Sequence, residues 1–437
     1  MMRSLWSAVS GLNTHQVEMD VIGNNISNVN TTSYKAQATG FQDLLYQTIK
    51  SGGPASNTMG SRNITQVGLG TKVGSIYNNI TKQGSAQVTY NPFDLMISGD
   101  SFFVITPDNT SGLRNYSRDG AFTIDAEGRL VTQNNGFYVM GVMGGGDVTR
   151  NSNLTRLDLI TNATKTIAGT PTSEAFFKGN IDSGDKTLED GIVLRLEAYG
   201  NDGKTYTIKF NITDAGDDDD ATFRMEVDGV QDSDHKTVRM DTPVFHDLTY
   251  DKHTGEIKSI DGYENAEGFI LQLDGDAAVV GPIHINMENS SNYASSMPGH
   301  ASTLNVYKGD VNGLNKGYAN GEMTGLSVTD NGSIYARYSN GQDVKLAQIA
   351  VAEFSNAMGL ELVGNNLYAA SLNSGDPMIM DITTDGGYMS TGVLESSNVD
   401  LSKEFTDMIT TQRGFQANSR VITTSDEMLQ TIKSLKR

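Results

Sequence analysis

The sequence predicts an α+β protein: terminal α-helices form a coiled-coil-like helical domain, and antiparallel β-domains are nested in the middle of the chain. Three observations predict it. Apolar residues recur every seven positions at both ends of the chain. From Val67 onward the apolar period shortens to two, the repeat of a strand. Through the middle, turns bearing Asp and Gly return again and again, as antiparallel hairpins require.

The first element is the N-terminal stripe of Leu5, Leu12, Met19 and Ile26, accompanied by Ala8, His15, Ile22 and Val29. A dense run of Gly and Asn between Gly23 and Asn30 tolerates left-handed backbone and ends that helix. Phe41, Leu44, Leu45 and Ile49 follow at helical spacing, and residues 51–63, rich in Gly and Ser, read as a flexible loop. Residues 71–77 alternate as a strand. Residues 93–105 read as strand, turn, strand with Gly99-Asp100 at the corner. Further hairpins are expected at 122–130, at 248–257 around Asp251 and Gly255, and at 326–335 around Asp330-Asn331-Gly332. Gly144-Gly145-Gly146 and the Ser- and Asn-rich run 289–299 mark boundaries of an acidic insert. The last element is a helix from Leu401 whose stripe is Leu401, Met408, Phe415, Ile422 and Leu429, widened by Phe405, Val421, Met428, Ile432 and Leu435. Asn398 or Asp400 can cap its start, and Lys433, Lys436 and Arg437 suit its negative end.

Each stripe needs a partner. A helix of about 25 to 35 residues is about 40 to 55 Å long, more than one small domain covers. The two ends can close on each other within one globule, or bury themselves between copies of the same chain. On the second reading the interface residues are Leu5, Leu12, Met19, Ile22, Ile26, Leu401, Phe405, Met408, Phe415, Ile422, Leu429 and Ile432. The expected division is a helical domain of 1–30 plus 398–437 and a connecting segment of 31–75 plus 373–397. Within these lie an inner β-domain of 76–146 plus 297–372 and an inserted acidic β-domain of 147–296.

Composition narrows the function classes. The chain has 437 residues and a formal net charge of −20, a field that repels nucleic acid and anionic membrane surfaces. No run of about eighteen apolar residues exists to span a membrane, and polar residues interrupt the N-terminus too often for a cleaved secretory signal. With no Cys there are no disulfides, thiolate metal sites or cysteine nucleophiles. Asp217 to Asp220 lack the alternate ligand spacing and turn Gly of a calcium loop and read as a solvated hairpin tip. Gly203-Lys204-Thr205 ends like a phosphate loop, but the motif's first Gly would fall on Ala198. Gly68-Leu69-Gly70 misses dinucleotide spacing and reads as a β-turn. The six His residues show no paired ligand spacing, so neither catalytic residue, cofactor nor metal is expected.

Several segments together resemble a known family. Residues 23–35 (GNNISNVNTTSYK), carrying Asn24, Asn25, Asn28, Asn30 and Thr31, look like the N-terminal signature of the bacterial flagellar rod and hook axial proteins. Residues 395–400 (ESSNVD) and 408–420 (MITTQRGFQANSR), carrying Gln412, Arg413, Asn418 and Ser419, are similar to that family's C-terminal signature. Residues 95–103, 116–122 and 364–368 resemble its shared β segments. The length and the large insert resemble the hook-forming members. This resemblance implies a tubular homopolymer outside the cell that joins rod to filament and transmits torque round a bend. It further implies export by the flagellar type III apparatus without a cleaved signal, and contact with rod, hook-cap and hook–filament junction proteins. Three alternatives stay open: a distal rod or hook-associated member of the family, an acidic secreted β-rich adhesin that stays monomeric, and an enzyme acting on a polymer such as peptidoglycan, which would need a carboxylate pair that the sequence does not identify.

Overall fold

The computed structural model describes residues 2–54, 60–108, 112–150, 152–216, 221–293 and 301–435. They form two compact units, one of Met1–Thr161, Leu326–Ala336 and Val344–Arg437, the other of Asn162–Gly325 and Arg337–Asp343. The acidic run 217–220, residues 55–59 of the expected loop, the polar stretch 294–300 with His300, and the terminal Lys436 and Arg437 lie outside the described residues.

The first unit carries both long helices, α1 (Met2–Ser27) and α2 (Leu401–Leu435). α1 stops inside the Gly- and Asn-rich run. α2 starts at Asp400, whose carboxylate accepts from the Ser402 and Lys403 amides at 3.0 and 3.3 Å, satisfying donors that the first turn leaves free. Directly after α1 the chain enters a two-stranded ribbon. Its strands are β1 (Gln37–Asp43), β2 (Tyr46–Lys50), β3 (Thr65–Gly68) and β4 (Thr71–Asn78), with β1 antiparallel to β4 and β2 to β3. Of the apolar run, Phe41 and Ile49 are therefore in strands and not in a helix, while Leu44 and Leu45 lie between β1 and β2, with Leu45 80% exposed. Helical spacing over so few residues could not outvote ribbon pairing. Gly68-Leu69-Gly70 is not a turn either: it continues the ribbon, with the Leu69 amide donating to Leu45 O and the Leu44 amide to Gly70 O.

The largest sheet is mainly antiparallel. In the first unit Tyr138–Met143 pairs with Phe102–Thr106, then follow Asn115–Ser117, Leu367–Ala369 and the edge strand Glu361–Gly364. Phe102 to Ile105 are all fully buried because the sheet is covered on both faces there. Phe102 meets Phe354 and Tyr368 edge-on at 5.9 and 5.7 Å, geometry that aromatic quadrupoles favour. Gly99-Asp100 does turn the chain, but Leu95–Ser98 and Phe102–Thr106 pair with other strands and not with each other. Phe122–Ile124 and Leu130–Thr132 form the expected hairpin.

The second unit has its own core. Thr205–Asp214 and Ala221–Gln231 pair antiparallel and alternate buried with exposed residues, one face on the core and one in water. Phe177 and Phe210 meet edge-on at 5.6 Å in that core. Tyr250 is buried there as well, its hydroxyl at 2.8 Å from Ser290 Oγ, and burial pushes the phenol up to about 12. The purely antiparallel expectation needs correcting here, since Glu174–Ile181 runs parallel to Ile283–Asn292. The intervening sequence supplies the long crossover that a parallel pair needs. Asn305–Lys308 pairs antiparallel on the other side of Glu174–Ile181, so this unit continues past the polar run 289–299.

Candidate functional site

The helical ends and the polar junction at their base hold the residues singled out from sequence. α1 and α2 pack antiparallel: a Cβ on Gly11 would lie 2.7 Å from Asn418 Nδ2, and one on Gly414 would lie 2.7 Å from His15 Nε2. The seam between them is made mostly of small and polar side chains. Ala8, Gly11, Thr14, Val21, Ile22 and Asn25 are buried on α1, and Glu404, Thr411 and Ser425 on α2. Small residues let the backbones approach closely, which larger apolar side chains would prevent.

The two apolar stripes border this seam and are only partly covered by it. Of the twelve proposed interface residues only Ile22 is buried. Leu5, Leu12, Met19, Ile26, Met408, Phe415 and Ile422 are half-buried, flanking the seam, while Leu401, Phe405, Leu429 and Ile432 are exposed. A coiled coil within one chain would bury its heptad residues as knobs. This pair leaves them mostly uncovered, so the coiled-coil-like expectation does not describe its seam.

The signature residues divide by position. Asn25 is 1% exposed and ties three elements together: its Nδ2 donates to Gln37 O at 2.8 Å, and its Oδ1 accepts from the Gln37 amide at 2.9 Å and the Tyr34 hydroxyl at 3.2 Å. It also bonds Glu404, whose carboxyl burial pushes above the ordinary range. Asn28 Nδ2 returns to Asn24 O and Oδ1, both at 2.9 Å, and Thr31 donates to Asn28 Oδ1 at 3.1 Å, so these three stop α1 with side-chain bonds. Asn418 and Ser419 are half-buried near the seam, whereas Asn30, Gln412 and Arg413 are exposed.

At the base of the helices the scattered motifs converge. Lys35 Nζ meets Glu395 Oε1 at 2.7 Å, with side chains 1% and 2% exposed. Burial pushes the Lys35 amine down, and Glu395 opposes that shift. Nζ also donates to Lys82 O at 3.0 Å, while the Gly84 amide donates to Glu395 Oε1 at 2.7 Å. Asn398 receives the Ala36 amide at 2.7 Å and donates to Asn79 O and Lys82 O at 2.9 and 2.8 Å. Ser33 donates to Arg118 O at 2.9 Å, Thr32 to Asp119 Oδ2 at 3.3 Å, and Asn366 Nδ2 to Thr32 O at 2.9 Å. Burial lowers Arg118 and raises Asp119. Four sequence segments quoted above, around residues 35, 118, 366 and 395, thus meet in one buried polar joint between helices and β-sheet.

Comparison with known proteins matches three of these four segments, those around residues 35, 118 and 395. Residues 5–35 match the family described as flagella basal body rod protein, residues 96–165 the flagellar hook protein FlgE/F/G D1 domain, and residues 390–435 the flagellar basal body rod FlgEFG protein C-terminal family. The chain is 35% identical to the flagellar hook protein FlgE of Treponema pallidum and 32% identical to that of Borreliella burgdorferi, each over 100% of both chains. The chain belongs to the flagellar hook protein family. Within the wider axial family it is also 28% identical to the basal-body rod protein FlgG of Bacillus subtilis, over 100% of both chains. Among solved structures, the Helicobacter pylori flagellar hook protein FlgE2 aligns with a TM-score of 0.46 at 15% identity, covering 71% of this chain and 100% of that one.

Sequence reading of this hook-family chain missed two features of the site. Lys35, Arg118, Asp119 and Glu395 lay inside quoted motifs, yet nothing in the sequence places them together. Glu404 stands off the apolar stripe, so apolar periodicity gives no sign of its burial. Its spacing of seven to Thr411 and of fourteen from Thr411 to Ser425 is a second, polar heptad that could have been found by the same period. Among the described residues no group of three or more His, Asp or Glu is placed to hold a metal ion, and no helix is long and apolar enough to cross a membrane.

Proposed function

We infer that this chain is a structural subunit of the flagellar hook, a curved tubular homopolymer outside the cell that acts as a universal joint. It transmits torque from rod to filament. The observation that carries the reading is the separation of two surfaces on the helical ends. Mostly small and polar residues join α1 to α2, which leaves Leu401, Phe405, Leu429 and Ile432 exposed and Met408, Phe415 and Ile422 half-covered, so that the stripe can pack in coiled-coil fashion against neighbouring copies. Burying each apolar side chain is worth about 1.5 to 3 kcal/mol, so a stripe of them drives association once neighbours cover it.

The buried joint of Lys35, Arg118, Glu395 and Asn398 supports the mechanical half of the reading. Its bonds are charge-assisted or closed on backbone groups, so it resists bending and passes force from the helical ends into the sheet. The nested layout belongs to the same proposal, with helical ends as the polymerisation domain and, in place of the expected 147–296, the unit of Asn162–Gly325 and Arg337–Asp343 as the insert. So do export through the flagellar type III apparatus and contact with rod, hook-cap and junction proteins. Deleting residues 401–437 is expected to leave a folded β-rich monomer that cannot polymerise. Filaments of that truncation under the electron microscope would refute the reading. Phe415→Asp in the full chain should block assembly in the same way, by placing a charge on the covered stripe.

A further inference from the structure

Residues 388–398 bring the first unit what its N-terminal segments cannot supply for themselves. Tyr388–Thr391 pairs with Leu95–Ser98, and Val393–Glu395 pairs with Ala86–Val88. Each pair is a sheet of two strands, so among the described residues neither N-terminal strand has another strand partner. Leu95 and Ile97 are buried, as is Met389, the register partner of Ile97. Between the two pairings the Gly392 amide donates to Asp94 O at 2.8 Å, and Gly392 O accepts from the Thr89 amide at 2.9 Å.

The same stretch closes the polar joint. The Ser33 amide donates to Glu395 O and the Ser396 amide to Ser85 O, both at 2.8 Å, and the Asn398 amide donates to Tyr34 O at 3.3 Å. A Cβ on Gly84 would lie 1.8 Å from Ser396 O, so the two backbones touch there. Taking residues 388–398 away removes the partner of the buried Lys35 ammonium and of the Ser33, Ala36 and Gly84 amides. Every buried polar group left without its partner costs stability, and a buried unpaired charge costs most. A chain made from its N-terminus holds Lys35 for 360 residues before Glu395 follows. The second unit, which ends at Asp343 and has its own core, is complete before then.

We propose that residues 388–398 are a clasp built into the fold: the first unit becomes stable only when they close on it, and their closure also aligns the helical ends. Closed, the clasp ties Asn398 to Tyr34 and Ala36 just before Asp400 caps α2, so the start of α2 is held beside the segment that follows α1. Open, it leaves Lys35 without its counter-charge and two N-terminal strands without partners. The second unit folds whether the clasp is open or closed. One consequence, that a chain with an open clasp cannot enter the polymer, rests on the polymer reading above. The dependence of the first unit on the clasp does not.

Hydrogen exchange of the full-length monomer, read by mass spectrometry, tests this, because segments that open only together exchange at one rate. In the parent chain the bonded amides of residues 388–398 should be protected to within about threefold of those in Phe102–Thr106. Much faster exchange of 388–398 alone would mean that the segment opens without the sheet and would overturn the proposal. Glu395→Gln keeps the shape of the side chain and removes its charge. It should speed exchange in 388–398 and in Phe102–Thr106 together, by about tenfold or more, and leave Thr205–Asp214 at the parent rate. Asn398→Ala, which changes no charge, should move the same two segments together by a smaller factor. A Glu395→Gln chain in which only 388–398 exchanges faster, or in which nothing does, overturns the clasp; so does equal loss of protection in Thr205–Asp214. The monomer alone is read, so none of these outcomes touches the polymer reading, which fails only if the chain lacking residues 401–437 polymerises.

Discussion

Lys35 and Glu395 are 360 positions apart in the chain and bonded at 2.7 Å. Neither charge has water to fall back on. Removing one partner leaves the other buried and unpaired, which costs about 3 to 5 kcal/mol. Lys35→Met is therefore expected to lower the stability of the first unit by about that amount in chemical denaturation, whereas mutation of the exposed Arg413 should change it by less than about 0.5 kcal/mol. Titration separates two other carboxyls by sign. Burial holds Glu404 above the usual carboxylate range, so the folded chain binds its proton more tightly than the unfolded chain. Its ionisation works against the helix pair at neutral pH, and that penalty disappears as pH falls through the raised value. Glu404→Gln should raise helix-pair stability at pH 7 and flatten its pH dependence above the ordinary carboxylate range. Asp185 is the opposite case. Amide and hydroxyl donors from Ser302 and Thr187 hold it at about 2, so its contribution is present above the ordinary Asp value and is lost as pH falls towards 2. Asp185→Asn should flatten the acid limb of unfolding in the second unit.

At the scale of elements, the helix pair is the informative case. Its two helices meet through Gly11 and Gly414, where a side chain would reach Asn418 and His15. Gly414→Val is expected to push α1 and α2 apart and to lower the helical signal of the monomer on heating, before any effect on assembly is considered. The outward stripe gives the reverse pattern. Phe405→Ser on the exposed face should leave monomer stability within about 0.5 kcal/mol of the parent while weakening polymerisation. Circular dichroism and pelleting assays on the two variants separate the inner seam from the outer stripe. The ribbon of β1 to β4 follows the same logic of support: its first half leans on α1, with the Thr71 amide donating to Ser10 Oγ at 3.3 Å and Phe41 meeting His15 edge-on at 6.1 Å.

For the molecule as a whole, charge sets the conditions of assembly. At −20 per chain, copies repel one another at long range. Mobile ions screen that repulsion beyond about 8 to 10 Å at physiological salt, whereas apolar contacts at the helical ends are not weakened by it. The critical concentration for polymerisation is therefore expected to fall as salt rises from low to physiological strength, measured by light scattering. A rise would mean that ion pairs between subunits, and not buried apolar stripes, dominate the interface.

Periodicity determined the long elements by itself. A seven-residue apolar repeat over four or five cycles specifies an amphipathic helix whatever surrounds it, and Gly- and Asn-rich runs stop helices locally, so α1, α2 and the Asp400 cap were legible. The motif segments at both ends pointed to the family for the same reason, since they are contiguous in the chain. Only tertiary structure decided which face of each helix meets the other. Both an apolar and a polar heptad run along α2, and close backbone approach at Gly11 and Gly414 selects the polar one for the seam. Tertiary structure likewise decided the strand state of Phe41 and Ile49, because ribbon pairing comes from residues 65–78. The joint of Lys35, Arg118, Asp119 and Glu395 was beyond any local pattern: its bonds close only when segments hundreds of residues apart are folded together and water is excluded from between them.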